Sequence, residues 1–371
     1  MADTLLVATR KGLFTVRRQG QQWAVGDDVA FLGDPVSMVM VDPSDGTQYA
    51  ALDHGHFGVK LHRRNLGGPW EEIAVPVYPE QPTVEASEEE AALEPDVPWS
   101  LKLIWSLAAG GADEPDTLWC GTLPGGLFRS DDRGASWSLI ESLWNDKRRR
   151  EWFGGGFDEP GVHSICVDPR DARRVTIGIS CGGAWVTCDG GQSWALRASG
   201  MQARFLPPDQ VADANIQDPH CIVQCRDAPD VLWTQHHSGI WRTTDGCESW
   251  QEITAAEPSS FGFPVAVHPG DPQTAWFVPA VQDDQRFPGG GSVVVSRTRD
   301  GGQTFEVLRD GLPQHHAYDL VYRHALDVDK TGSTLAFGST TGSLWVSDDQ
   351  GDSWATVSQH LPPIYAVRMA D

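Results

Sequence analysis

The sequence predicts an all-β protein, a seven-bladed β-propeller that its C-terminal strand closes into a ring. Three observations support this prediction: an eight-residue pattern occurs five times, its copies are almost evenly spaced, and short alternating runs end at glycine or proline throughout. The 371 residues include 39 Gly and 25 Pro, and long runs with helical periodicity are few. Because repetition at a fixed period indicates a repeat architecture, the length does not require several domains.

The repeated pattern reads Ser/Thr-x-Asp-x-Gly-x-Ser/Thr-Trp. Its copies are 130–137, 187–194, 243–250, 298–305 and 347–354, and their last residues are about 49 to 57 residues apart, the spacing of four-stranded blades with variable loops. In each copy the Asp can accept backbone N–H bonds in a hairpin turn, the Gly can adopt positive φ, and the Trp can pack between sheets. Cys247 replaces the Gly and Phe305 replaces the Trp, changes expected to loosen a turn without removing a blade.

This pattern resembles the Asp-box, or bacterial neuraminidase repeat, of sialidases, some endoglucanases, sortilin-type receptors and photosystem assembly factors. The resemblance covers most of the chain and implies a β-propeller with Asp-box hairpins. It also implies either a sialidase-like-fold enzyme or a non-catalytic scaffold. The Phe/Tyr-Arg-Ile-Pro motif of sialidases is absent, so sialidase activity itself is not expected.

The seven blades are predicted near residues 1–30 plus 364–369, 36–75, 99–143, 161–200, 218–256, 261–310 and 315–361. The first two lack the Asp of the pattern but keep the spacing of its flanking strands. The last strand, 364–369, has no hairpin partner after it and should pair with 5–9. This pairing closes the ring, because an open propeller would expose unpaired strand edges at its seam.

Charge and composition restrict the partners. The chain has 28 Lys and Arg against 51 Asp and Glu, a formal net charge of −23, so neither nucleic acid nor a membrane is expected as a partner. No apolar run approaches the length of a bilayer span, and the N-terminal residues indicate a strand rather than a signal peptide. The seven cysteines show no zinc-type pairing, which favours a reducing, cytoplasmic location.

Four long irregular segments should emerge on one face of the propeller, opposite the repeated turns. They are 78–98, 141–161, 201–219 and 282–291. Long loops that cluster on one rim of a compact fold predict a functional site at the mouth of the central channel. The acidic residues within 85–94 and the basic run 147–150 could clasp each other as a lid, or could be ordinary solvated surface.

Histidines are concentrated at the predicted strand ends of this loop-rich face, where imidazole can bind a metal, transfer protons or bind an anion. The catalytic candidates are His163, His220, His236, Glu159 and Asp283. The substrate-binding candidates are His237, His316, Arg286 and Tyr318. The candidate ligands of zinc or another divalent transition metal are His54, His56, His163, His220 and His236. Metal-free acid/base chemistry, anion recognition and polar packing remain alternatives.

Two functions therefore stay open. The first is a sialidase-like-fold enzyme, glycosyl-hydrolase-like or another hydrolase or lyase, that acts on a small polar molecule or a glycan at a histidine-rich pocket. The second is a propeller scaffold or assembly factor that binds a protein partner. An enclosed pocket with convergent histidines and carboxylates favours the enzyme, whereas a broad apolar patch favours the scaffold. The sequence has no convincing Gly-x-Ser-x-Gly elbow, P-loop or dinucleotide fingerprint.

Overall fold

The structure is a computed structural model that describes residues 2–80 and 99–370. Its strands form seven four-stranded antiparallel sheets arranged in a ring, which confirms the predicted seven-bladed, all-β propeller. No helix in the described ranges is long and apolar enough to cross a membrane. The acidic half of the predicted lid, 85–94, lies outside the described residues, whereas its basic half forms a 3-10 helix, Lys147–Glu151.

Each blade has an innermost strand at the channel and an outermost strand at the periphery. From inside to outside, blade 1 consists of β28 (Ile364–Met369), β1 (Thr4–Thr9), β2 (Gly12–Gln19) and β3 (Gln22–Ala30), and blade 2 of β4 (Val36–Val41), β5 (Gln48–Asp53), β6 (Val59–Arg64) and β7 (Glu71–Ile73). Blade 3 consists of β8 (Leu103–Ala109), β9 (Leu118–Leu123), β10 (Leu127–Ser130) and β11 (Ser138–Leu139). Blade 4 consists of β12 (Val162–Val167), β13 (Val175–Ile179), β14 (Gly183–Thr187) and β15 (Ala195–Leu196).

Blades 5 to 7 follow the same order. Blade 5 consists of β16 (Pro219–Gln224), β17 (Leu232–His236), β18 (Gly239–Thr243) and β19 (Gln251–Ile253). Blade 6 consists of β20 (Gly262–Val267), β21 (Ala275–Pro279), β22 (Val295–Thr298) and β23 (Glu306–Leu308). Blade 7 consists of β24 (Leu326–Val328), β25 (Leu335–Gly338), β26 (Leu344–Ser347) and β27 (Ala355–Ser358). The described helical segments are one short α-helix, α1 (Glu141–Trp144), and the 3-10 turns Gly55–Phe57, Lys147–Glu151, Ala214–Ile216 and Gly289–Gly291.

The hydrophobic core lies between neighbouring sheets. Its largest fully buried side chains are tryptophans that recur from blade to blade, Trp119, Trp185, Trp233, Trp241, Trp276 and Trp345. Ring closure is confirmed because the C-terminal strand β28 pairs antiparallel with β1, with Leu5 opposite Met369 and Val7 opposite Val367. Strand β28 thus becomes the innermost strand of blade 1.

The repeated pattern forms five hairpin turns between the third and fourth strands of blades 3 to 7, which we call the aspartate turns (130–137, 187–194, 243–250, 298–305 and 347–354). In one of them Asp189 accepts hydrogen bonds from the amide and the hydroxyl of Ser193, at 2.9 and 2.6 Å, and from the hydroxyl of Thr187 at 2.7 Å. Cys247 adopts φ 74° at the position that glycine occupies in the other four turns. Its amide donates to the Thr243 hydroxyl at 3.2 Å, against 2.8–2.9 Å in those turns.

These turns should stabilise the fold without contributing to ligand binding. We expect Asp189→Ala and Asp349→Ala each to lower the free energy of unfolding by about 1–2 kcal/mol through lost turn hydrogen bonds. Chemical denaturation measures the loss. Cys188→Ala is the matched control, because this exposed side chain belongs to the same turn as Asp189. Parent-like unfolding of both aspartate variants would contradict a structural role for the turns.

The contribution of Asp189 to the free energy of unfolding should also depend on pH. The hydrogen bonds from Ser193 lower the pKa of Asp189 from its ordinary value of 3.8 to about 2. Because the pKa is lowered in the folded state, the ionised carboxylate stabilises the fold above the unfolded pKa and loses this contribution as the pH falls toward 2. The difference in unfolding free energy between the parent and Asp189→Ala should therefore shrink between about pH 4 and pH 2.

The inner strands of most blades share an irregularity at their loop-rich ends. In six blades the register between the first two strands shifts near the start of the inner strand. The residues skipped by the ladder are Ser37, Trp105, His163, His220, Phe263 with Pro264, and Tyr365. Since a β-bulge frees a residue from the ladder and redirects its side chain, the same position in successive blades can present a side chain at the channel mouth.

Candidate functional site

Side chains from five blades meet at the channel mouth. The Arg323 guanidinium, just before β24, lies 4.8 Å from the ring centre of Trp105 and 5.5 Å from that of Phe263. His163 contacts Trp105 edge to face at 5.6 Å, and His220 stacks on Phe263 at 4.6 Å. Four of these five residues are the bulged residues of blades 3 to 6. One side chain from each of five neighbouring blades therefore lies at the channel mouth, and two of them, His163 and His220, are catalytic candidates from the sequence.

A buried carboxylate lies beside this ring. Asp218 immediately precedes β16 and is 1% exposed. One of its oxygens, Oδ2, lies 3.5 Å from His220 Nε2 and 3.3 Å from His237 Nδ1, whereas Oδ1 accepts the Cys181 amide at 3.1 Å. Gly155 covers the carboxylate, since a Cβ there would come within 3.0 Å of both oxygens. Asp218 is thus shared by two imidazoles beneath a loop that requires glycine.

Hydrogen bonds fix the ring orientation of His220. Its Nδ1 lies 2.7 Å from the carbonyl oxygen of Gly262, so Nδ1 carries the hydrogen and donates it. In the neutral ring, the Nε2 lone pair then faces the Asp218 carboxylate. Burial lowers the pKa of His220, although the nearby carboxylate opposes this shift. Two electron-rich atoms therefore face each other unless a proton or a cation lies between them.

The cluster reaches solvent through His237 and Asp283. His237 follows the last residue of β17, and its Nε2 lies 3.8 Å from Asp283 Oδ2. The side chain of His237 is 14% exposed and that of Asp283 is 47% exposed. Asp283 also forms an ion pair with Arg286 on the same loop. An array of Asp218, His237 and Asp283 therefore leads from the interior to the surface.

Arg323 supplies positive charge to this array. Burial alone would raise the pKa of Asp218, but the two imidazoles and the Arg323 charge hold that pKa well below its ordinary value. Within residues 2–80 and 99–370, the buried Nε of Arg323 has no hydrogen-bond partner. The charge of its guanidinium helps to hold Asp218 in the ionised form.

Two of the candidate histidines are enclosed by the protein. The backbone amides of Asp218 and Ser238 lie 3.1 and 3.0 Å from the two ring nitrogens of His236, and burial lowers the pKa of this ring to about 3. His163 is fully buried, with Nδ1 2.9 Å from the Ser164 hydroxyl and a pKa held well below its ordinary value by burial and by Arg323. Both rings are therefore neutral, and their contacts are with the surrounding protein.

The five histidines considered as metal ligands do not converge. His54 lies 3.8 Å from Asp34 in blade 2, and His56 contacts the ring of Phe57. Among the described residues, the group of three or more His, Cys, Asp and Glu side chains that could hold a metal ion consists of Asp218, His220 and His237. Of the histidines proposed as ligands, this group retains His220. It adds His237, which the sequence analysis selected for substrate binding, and Asp218, which it did not select.

The remaining candidates lie at several points of the rim. Asp283 and Arg286 are in the β21–β22 loop beside His237, as described above. Glu159 forms an ion pair with Lys102. His316 adopts φ 53° in the connection from blade 6 to blade 7, and Tyr318 is exposed, with its ring 6.0 Å from that of Phe287. The structure therefore brings Asp283, Arg286 and His237 together, whereas Glu159 pairs with Lys102.

Sequence reasoning did not select Asp218, Arg323, Trp105 or Phe263 as site residues. For Asp218 a local signal exists, because it lies two residues before His220 in an Asp-Pro-His sequence. Arg323 has no comparable signal, since its environment is formed by Trp105 and Phe263 from distant parts of the chain.

Comparisons with known proteins place this geometry in context. No family model matches the chain. It is 23% identical over 263 residues to an oligoxyloglucan-reducing end-specific xyloglucanase of Emericella nidulans, an alignment that covers 67% of this chain and 26% of the relative. A probable enzyme of the same name from Neosartorya fischeri is 24% identical over 257 residues, again 67% of this chain and 26% of the relative. The chain thus spans about a quarter of the length of these curated relatives.

Two solved structures show the same fold. The GH74 xyloglucanase from Xanthomonas campestris superposes with a TM-score of 0.66 at 19% identity, covering 97% of this chain and 53% of that one. YCF48 bound to D1 peptide superposes with a TM-score of 0.51 at 14% identity, covering 94% of this chain and 91% of that one. At these identities the likeness concerns the fold. The chain is a seven-bladed β-propeller of the kind found in GH74 xyloglucanases and in YCF48.

Proposed function

We propose that this protein is a hydrolase that acts on a glycan or a related small polar molecule at the channel mouth of the loop-rich face. The observation that supports it best is the array of Asp218, His237 and Asp283, in which a buried carboxylate holds an imidazole whose other nitrogen faces an exposed carboxylate. Titratable side chains that converge beside aromatic rings, among them a buried carboxylate with a lowered pKa, are typical of an active site.

The array offers the groups that hydrolysis needs. Asp283 is accessible and can exchange a proton with a bound ligand or water, while Asp218 orients His237 behind it. Our proposal assigns proton transfer to Asp283 and positioning to Asp218.

The surrounding residues suit a polar ligand with apolar faces. Phe157 and Phe205 are partly exposed at the rim, and Phe205 packs on His237 with ring centres 4.5 Å apart. Aromatic rings can pack against the less polar faces of a sugar, while the Arg323 guanidinium can donate to hydroxyl or carboxylate oxygens. The similarity to xyloglucanases supports a glycan as the substrate class.

A turnover screen tests the proposal. Purified protein should release reducing ends from at least one member of a pool of soluble oligosaccharides that includes xyloglucan fragments. Asp283→Asn should then lower that rate about 100-fold or more, because the accessible proton-transfer group is lost. The matched control is Asp284→Asn, since the adjacent carboxylate accepts from Gln282. No turnover of any glycan or small polar metabolite, or equal rates for the two variants, would overturn the proposal.

A scaffold that binds a protein segment is the second candidate. Leu32 and Phe57 are each 74% exposed in a connection and a turn of the loop-rich face, and YCF48, a propeller of similar extent, has been solved with a bound peptide. In that case Phe57→Ser should abolish partner binding and Asp218→Asn should leave it unchanged. For either function we propose a reducing, cytoplasmic location, which the seven unpaired cysteines support.

A further inference from the structure

We propose that Asp218, His220 and His237 bind one divalent first-row transition metal ion, with zinc as the simplest case. The three ligand atoms are Asp218 Oδ2, His220 Nε2 and His237 Nδ1, and all lie within 4.8 Å of one another. The inference goes beyond the proposed function, because it specifies an ion and its ligands without depending on the substrate.

Two of the three separations between these atoms, those that involve the Asp218 oxygen, fit a shared ion better than direct hydrogen bonds. Asp218 Oδ2 lies 3.5 and 3.3 Å from the two imidazole nitrogens, whereas charge-assisted N–H···O bonds are about 2.7–2.9 Å long. Ligand atoms about 2.1 Å from a tetrahedral metal ion are separated by about 3.4 Å. Oδ2 is buried and has no hydrogen-bond partner, so an ion would satisfy a polar atom that the protein leaves unpaired.

Both histidines have the supporting contacts typical of metal ligands. The nitrogen of His220 that does not face the cluster donates to the Gly262 carbonyl oxygen at 2.7 Å. The corresponding nitrogen of His237 lies 3.8 Å from the Asp283 carboxylate. A carbonyl or carboxylate behind a ligating histidine fixes its tautomer and orientation. With an ion bound, His237 serves as a ligand and Asp283 remains the accessible proton-transfer group.

The ligand types restrict the ion. Two imidazoles and one carboxylate suit zinc and neighbouring transition metals, whereas magnesium and calcium prefer sites made of oxygen atoms. Three protein ligands also leave a coordination position for water, as in catalytic rather than structural zinc sites. The net charge of −23 further favours the approach of a cation.

Metal titration tests the inference directly. Protein freed of metal by a chelator, then separated from it, should take up about one Zn²⁺ per chain by calorimetry and elemental analysis. Cobalt(II) bound to the parent protein should give the absorption spectrum of an ion with a low coordination number. His220→Ala and His237→Ala should each weaken zinc binding by roughly 100-fold or more, while His56→Ala, at an exposed position of the same face, should leave it unchanged.

The outcomes separate this site from the proposed function. Equal zinc binding by the parent and His237→Ala, or a cobalt spectrum typical of the hydrated ion, would overturn the metal site. Because His220 is buried, thermal melting of each variant must accompany the titration, and the partly exposed His237 provides a second variant that should tolerate substitution. Zinc binding without turnover would refute the hydrolase alone, whereas turnover by a parent protein that takes up no zinc would refute the metal site alone.

Discussion

A chain that ends at Pro363 should fail to form a stable ring. The deletion removes β28, the innermost strand of blade 1, whose residues Ile364, Ala366 and Val367 are fully buried. It also exposes the edge of β1 and the sides of the neighbouring inner strands β4 and β24. Because loss of one large buried aliphatic side chain costs about 2–5 kcal/mol and whole domains are stable by about 5–15 kcal/mol, the truncated protein should aggregate or melt far below the parent.

The control is a chain that ends at Met369, the last residue of β28. It keeps the whole closing strand and should melt close to the parent. Size-exclusion chromatography and thermal melting distinguish the two truncations. A monomeric protein ending at Pro363 with a parent-like melting temperature would show that β28 does not hold the ring closed.

Asp218→Asn should abolish most turnover and leave the fold intact. The asparagine oxygen can still accept the Cys181 amide, and its amino group can donate to the His220 lone pair, so the buried position remains satisfied. The charge that positions His220 and His237 is nevertheless lost. We expect kcat to fall by about 100-fold or more, because the imidazoles lose the charge that orients them, while the melting temperature changes by only a few degrees.

Asp209→Asn provides the matched control, because this exposed carboxylate lies in the same long loop before Asp218. Its kcat and KM should equal those of the parent. A purely structural role for Asp218 would instead show as a lowered melting temperature with kcat retained in the fraction that remains folded.

The fold was predictable because its determinants are local. An aspartate turn is specified by eight consecutive residues, and five copies at a regular spacing define the blades. The closing strand was predictable because 364–369 alternates without a hairpin partner of its own. The bulges at Trp105, His163 and His220 were not predicted, since residue alternation does not reveal where a ladder skips a residue.

The candidate site was only partly predictable for the same reason. Sequence position places His220 and His236 at the loop-rich ends of neighbouring strands of one blade, yet the ring of His236 lies against backbone amides while His220 faces Asp218. Which direction a strand-end side chain takes depends on the bulge and on the loop that covers it. Arg323 acquires its role from Trp105 and Phe263, two rings that only the closed propeller brings together.

The most direct test of the proposed active site is amide hydrogen exchange of Asp218→Asn with and without the glycan that the parent hydrolyses. This variant should bind the glycan without turning it over, so the complex persists during labelling. We expect slower exchange in 154–158 and 282–291, the loops around Asp218 and Asp283, and unchanged exchange in the aspartate turns on the opposite face. Slower exchange confined to the aspartate turns, or none in these two loops, would contradict an active site at the channel mouth.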